Sequence, residues 1–207
     1  MKQDWKKAEK QLYLPKTQPE KIMVPSMNFF TISGEGNPNN PEFGEYIGVL
    51  YALSYGVKMS PKQGFAPNNY QDYSIYPLEG VWDINDEAKK NPTEKLNKDS
   101  LIFHLMIRQP EFVSPEFAQT VVERVQKKKQ HPLISQVRFE TIEDGNCIQM
   151  LHLGSFDDEP ASFGLMEEFA QKTGLHRVSK VHREIYLSDA RKTIPEKMKT
   201  VLRFRVE

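Results

Sequence analysis

One order of elements occurs twice along this 207-residue chain, and it narrows the fold more than any composition figure does. A β-prone run over 22–33 is followed by a Pro-initiated helix carrying Phe43-Gly44, then by β-prone runs at 72–83 and 101–108. A second run over 147–153 is followed by a Pro-initiated helix carrying Phe163-Gly164, then by runs at 181–189 and 201–206. Each half reads strand–helix–strand–strand and cannot cover its own sheet. Two copies paired edge to edge predict an α+β fold, one antiparallel sheet with helices on one face.

Helix signals set the boundaries. Asn40 and Pro41 read as N-cap and first helical residue, and Ser114-Pro115 opens a helix whose Phe117, Val121 and Val125 share a face. Asp157-Asp158-Glu159 before Pro160 puts acids at a helix start, where the dipole favours them. A turn at 143–146 between 137–142 and 147–153 predicts a hairpin. The division that follows is a tail or short helix over 1–20 and one domain over 21–207. That domain comprises module one (21–110), a connecting helix (114–131) and module two (135–207), with a charged connection over 84–100.

Charge excludes little but points consistently. Lys and Arg number 28, as do Asp and Glu, so bulk charge favours neither nucleic acid nor an anionic membrane. No apolar run approaches the roughly 18 residues of a membrane span, and no apolar core follows Met1-Lys2-Gln3-Asp4 to make a secretory leader. Cys147 is the single cysteine, which excludes an internal disulfide and a multi-cysteine metal site. The expectation is a cytoplasmic protein with no cofactor and no metal. Its oligomeric state is not readable from these residues.

Chemistry is suggested at two places. On the first helix, Gly44, Gly48, Tyr51 and Tyr55 fall within about 60° of one another. Two interior glycines each cost about 1 kcal/mol against alanine, so a close-approaching ligand framed by phenols, or tight helix–sheet packing, should compensate. On the strand 181–189, alternation puts His182, Glu184, Tyr186 and Ser188 opposite Val181, Ile185 and Leu187. Glu184 is then either a surface carboxylate or, if its face is covered, an acid in an apolar cleft with a raised pKa. Glu79-Gly80-Val81-Trp82 stands at the matching place in the first half, where Trp82 is either core or part of a ligand cage. Phe103 on the following strand joins the candidate ring set. The five histidines include no pair at helical metal spacing, Gly34-Glu35-Gly36 lacks a phosphate-loop lysine, and no serine sits in a GxSxG elbow.

The segment HREIYLSDARKTIPEKMKTVLRFRV (182–206) resembles the C-terminal signature of gyrase-inhibitor-like (GyrI-like) small-molecule-binding proteins. FFTISGEGNPNNPEFGEYIGVLYALSYGVK (29–58) and GSFDDEPASFGLMEEF (154–169) resemble the two helix-start segments of that family's stand-alone subgroup. The resemblance implies two strand–helix–strand–strand modules with a ligand cleft at their seam, and it identifies Glu184 with the family's mid-strand acid. No helix-turn-helix precedes the domain, so the chain is expected to differ from the drug-sensing activators of the family and not to bind DNA. The subgroup it resembles, the cyclopropanoid cyclopropyl hydrolases, opens the strained ring of yatakemycin-type DNA-alkylating compounds. The resemblance thus implies a cofactor-independent hydrolase giving cellular protection. Glu184 and Tyr186 would be catalytic, and Tyr51, Tyr55, Trp82, Gly48 and Phe103 would bind substrate. A module that binds and sequesters or senses amphipathic drugs without changing them would use the same residues. Haem binding, suggested by the related SOUL-type architecture, lacks a convincing axial histidine.

Overall fold

A computed structural model describes residues 2–91 and 96–207; Met1 and residues 92–95 of the charged connection lie outside the described residues. In chain order the elements are α1 (Trp5–Ala8), α2 (Lys10–Tyr13), β1 (Glu20–Val24), β2 (Met27–Glu35), α3 (Pro41–Lys58) and β3 (Leu78–Ile84). They continue with α4 (Asp86–Lys90), β4 (Leu101–Arg108), α5 (Pro115–Lys129), β5 (Arg138–Ile142), β6 (Gly145–Leu153), α6 (Glu159–Lys172), β7 (His182–Tyr186) and β8 (Lys199–Arg205). Helix starts follow the sequence signals: Pro41 and Pro115 occupy first-turn positions, and the Ser114 side chain accepts from the Phe117 amide.

The chain divides into two compact units. One comprises Met27–Tyr76 and Trp82–Ile142, with the residues up to Gln3; the other comprises Asp4–Ser26, Pro77–Val81 and Glu143–Glu207. Strand β3 begins in the second and ends in the first.

In the second unit the strand order is β1-β6-β8-β7-β3. Ile22 pairs with Cys147, Met150 with Leu202, and Ile185 with Val201, all antiparallel. One face carries Ile148, Met150, Leu202 and Phe204, and α6 closes it with Met166, Ala170 and the half-buried Phe163 and Phe169. The opposite face is polar although buried. Arg203 donates to Gln149 Oε1 at 2.7 Å, Arg183 pairs with Glu79 at 2.9 Å and Asp144 at 2.8 Å, and the Tyr13 hydroxyl donates to Glu79. Guanidiniums buried this deeply persist because carboxylate and amide acceptors stand beside them.

In the first unit the order is β3-β4-β2-β5. Phe30 pairs with Ile107 on one side and Phe139 on the other, and Ile32 pairs with Leu105. Helix α3 buries Val49, Leu50, Leu53 and Val57 against this sheet. Gly34 pairs with Phe103, and a Cβ built there would stand 2.5 Å from a Phe103 ring carbon, so only glycine admits the ring.

The α+β class and antiparallel pairing are as the repeated order predicts. Two local expectations fail. The segments 137–142 and 147–153 do not form a hairpin: β5 pairs with β2, whereas β6 lies between β1 and β8. The expected strand 22–33 breaks at Pro25-Ser26, since β1 belongs to one unit and β2 to the other. Proline cannot donate to a ladder, which explains where the break falls.

Candidate functional site

Strand β7 is short, and both its faces are covered. Arg183, Glu184 and Ile185 are all buried, so alternation separates two interiors rather than an interior from solvent. Arg183 enters the polar face beside Glu79. Glu184, paired across the ladder with Leu202, enters the α6 face, where it retains 8% of its accessible surface.

Against it stands Glu159, the first residue of α6, with 6% of its surface exposed. The two carboxyls interact electrostatically, and the Glu184 charge opposes ionisation of Glu159. Burial, and then the Glu184 charge, push the Glu159 carboxyl up to about 10. The helix N-terminus pulls the other way, but that contribution is about 1 kcal/mol, and desolvation outweighs it. At neutral pH Glu159 is therefore a neutral acid. Its Oε1 is buried and has no hydrogen-bond partner among the described residues.

His182 holds Glu184 from the other side, with Nε2 at 3.1 Å from Glu184 Oε1. The Phe163 ring packs edge-on against His182 at 4.7 Å between centroids, and Phe156 meets Tyr186 at 5.9 Å. The carboxyl pair thus has aromatic neighbours from α6, β7 and the turn before α6. Gly164, beside Phe163, faces open space: a Cβ built there meets nothing within 4 Å. Two depressions of about 290 and 280 Å³ lie at the C-terminal part of α6 and beside β7; Glu184 lines neither, but its partner His182 lines the second. Among the described residues no group of three or more His, Cys, Asp or Glu side chains is arranged to hold a metal ion.

The remaining sequence candidates lie in the first unit. Trp82 and Phe103 are brought together, with ring centroids 5.7 Å apart, and Phe43 of α3 stacks on both. This is a buried aromatic layer, Trp82 being 7% and Phe103 2% exposed. On the outer side of α3, Tyr51 is half-buried and Tyr55 exposed. A Cβ at Gly44 or Gly48 would meet nothing within 4 Å, so these glycines are not there for tight helix–sheet packing. The proposed correspondence of Glu79 with Glu184 is corrected. Glu79 faces Arg183 on the polar side, and Trp82, which faces α3, is the residue of β3 that looks toward a helix as Glu184 looks toward α6. Sequence reasoning missed Glu159, taking it only as a helix-start acid.

An α+β fold with paired strand–helix–strand–strand units and a buried acid beneath the second helix defines a class of small-molecule-binding domain. The GyrI-like small molecule binding domain matches residues 17–207, and the chain belongs to that family. It is similar to the crystal structure of a hydrolase from Listeria innocua, at 38% identity over 100% of both chains and a TM-score of 0.88. An uncharacterized conserved protein from the same organism matches at 38% over 100% of both chains, with a TM-score of 0.90. The C-terminal domain of EcmrR shares the fold at 10% identity and a TM-score of 0.56, over 92% of this chain and 97% of that one. No curated protein matches. Among the described residues no helix is long and apolar enough to cross a membrane.

Proposed function

We propose that this chain binds flat aromatic xenobiotics and hydrolyses the electrophilic cyclopropane of yatakemycin-type DNA-alkylating compounds, protecting the cell that holds it. The observation that carries the reading is Glu184, a carboxylate buried under α6 near a neutral acid, whose bonding partner His182 packs against Phe163 and whose strand carries Tyr186. The full-length similarity to a hydrolase supports it. In such a substrate the ring is conjugated to a dienone. A water oxygen attacks the ring methylene, the strained carbon–carbon bond breaks, and its electron pair moves to the carbonyl oxygen, which becomes a phenolate. Glu184 takes the water's proton, and a proton then returns to the phenolate. Tyr186 is the candidate donor to the growing oxyanion. Because the substrate is already strained, orientation suffices and the reading calls for no metal or cofactor.

Gly48, Tyr51 and Tyr55 on the outer side of α3, together with Trp82 and Phe103, are proposed as substrate-binding residues. The protein would act in the cytoplasm on small molecules, without nucleic acid. A second reading is favoured by the same buried carboxylate among rings: sequestration of amphipathic cations by ion pair and cation–π contact. The two separate on one experiment, in which many equivalents of such a cyclopropane are incubated with the protein and followed by mass. Ring-opened product in excess of protein supports hydrolysis; protection limited to one equivalent, with ligand recovered intact, supports sequestration.

A further inference from the structure

We propose that Glu159 is a second catalytic residue: with Glu184 it forms a carboxyl–carboxylate dyad that shares one proton and holds the attacking water between its two members. The inference rests on the hydrolytic reading of Glu184 and extends it to a residue on a different element.

Three observations carry it. Glu159 and Glu184 come from the start of α6 and the middle of β7, where Phe163 of α6 packs on the His182 that bonds Glu184; the two acids interact electrostatically, and both side chains are nearly removed from water. Two buried carboxylates in contact cannot both be charged, so the pair carries a single negative charge and one proton. Glu159 Oε1 has no hydrogen-bond partner among the described residues. A buried acceptor left unmade costs about 1–3 kcal/mol, which a donor arriving with the reactants would remove. The groups facing Glu159 are Glu184 and, through it, His182 from β7, with Asp157 from the turn before α6. Glu184 and Asp157 both oppose a negative charge on Glu159.

The chemistry balances. Water donates one hydrogen to Glu159 Oε1 and the other to Glu184. As the water oxygen forms its bond to the ring methylene, Glu184 accepts the proton, and the broken carbon–carbon bond's electron pair leaves into the dienone. The dyad is then doubly protonated and neutral, and it returns to its resting state by giving one proton to the phenolate or to solvent. A lone carboxylate at this place would hold the water by one contact; a dyad fixes both hydrogens and hence the direction of the oxygen lone pair.

The test compares wild type with Glu159→Gln, Glu159→Ala and Glu184→Gln. Glutamine keeps an acceptor oxygen and a donor but cannot ionise. Glu159→Gln is expected to lower kcat about 5-fold and to abolish the alkaline decline of kcat/KM, whereas Glu159→Ala is expected to lower kcat at least 30-fold with little change in KM. Infrared spectra at pH 7 are expected to show a protonated-carboxyl band in wild type that Glu159→Gln removes. The dyad is overturned if Glu159→Ala turns over like wild type while Glu184→Gln does not, an outcome that leaves the hydrolytic reading standing. It is equally overturned if the infrared band is absent, a readout that needs no substrate. A wild type that converts no cyclopropane, yet shows the band, overturns the catalytic role of both acids together.

Discussion

Glu79 and Arg183, 104 residues apart, meet at 2.9 Å with side chains only 1% and 5% exposed. The pair ties β3 to the polar face of β7 and fixes the strand that also carries Glu184. Removing one partner of a buried pair leaves the other charge uncompensated, at a typical cost of 3–5 kcal/mol. Asp144 still reaches Arg183 at 2.8 Å, so Glu79→Ala is expected near the lower limit, about 3 kcal/mol by denaturant unfolding. A loss below about 1 kcal/mol would contradict this role for the pair.

Gly34 and Gly48 make opposite predictions. A side chain at Gly34 meets the Phe103 ring, so Gly34→Ala is expected to cost about 1–3 kcal/mol, and combining it with Phe103→Leu to cost less than the sum of the two. Gly48 lies mid-helix over open space, so Gly48→Ala is expected to stabilise α3 by about 0.5–1 kcal/mol while weakening ligand binding. Thermal unfolding and ligand titration of the two variants check both signs.

The carboxyl of Glu159 ionises near its ordinary 4.5 in the unfolded chain and is pushed up to about 10 in the folded one. Between these values the folded protein retains a proton that the unfolded chain releases, so stability falls as pH rises across that window. Glu159→Gln removes this slope. It is expected to be more stable than wild type at pH 8, by on the order of 2 kcal/mol, and to match it near pH 4. Parallel pH–stability curves for the two proteins would contradict the buried neutral acid.

Cys147 is buried and unpaired by disulfide, and burial pushes its thiol up to about 11. The thiolate is the reactive form, so native protein at pH 8 is expected to react with iodoacetamide far more slowly than unfolded protein. Equal rates would show that β6 opens readily.

Much of this was readable from the sequence, for identifiable reasons. Proline and its preceding cap residue act through the local backbone, so α3 and α5 begin where Pro41 and Pro115 require. Alternation along 181–189 separated Glu184 from Ile185, because that period is a property of the strand itself. It did not say what covers each face; the expectation of one buried face gave way to two, with Arg183, Glu184 and Ile185 all inside. The hairpin failed because the Asp144-Gly145 turn is real, with Gly145 at a φ of 67°, but its flanking strands take partners far away in sequence. Glu159 was misread for the same reason. Its position at a helix start is local, whereas its protonation depends on a carboxylate in β7 that only the fold brings near.

The measurement closest to the central claim is ring opening of a yatakemycin-type cyclopropane in ¹⁸O-labelled water by wild type and by Glu184→Gln, read by mass. The account predicts one ¹⁸O in the new hydroxyl over many turnovers of wild type, and a rate at least 100-fold lower for the variant at unchanged ligand affinity. Equal turnover by the two proteins would contradict it.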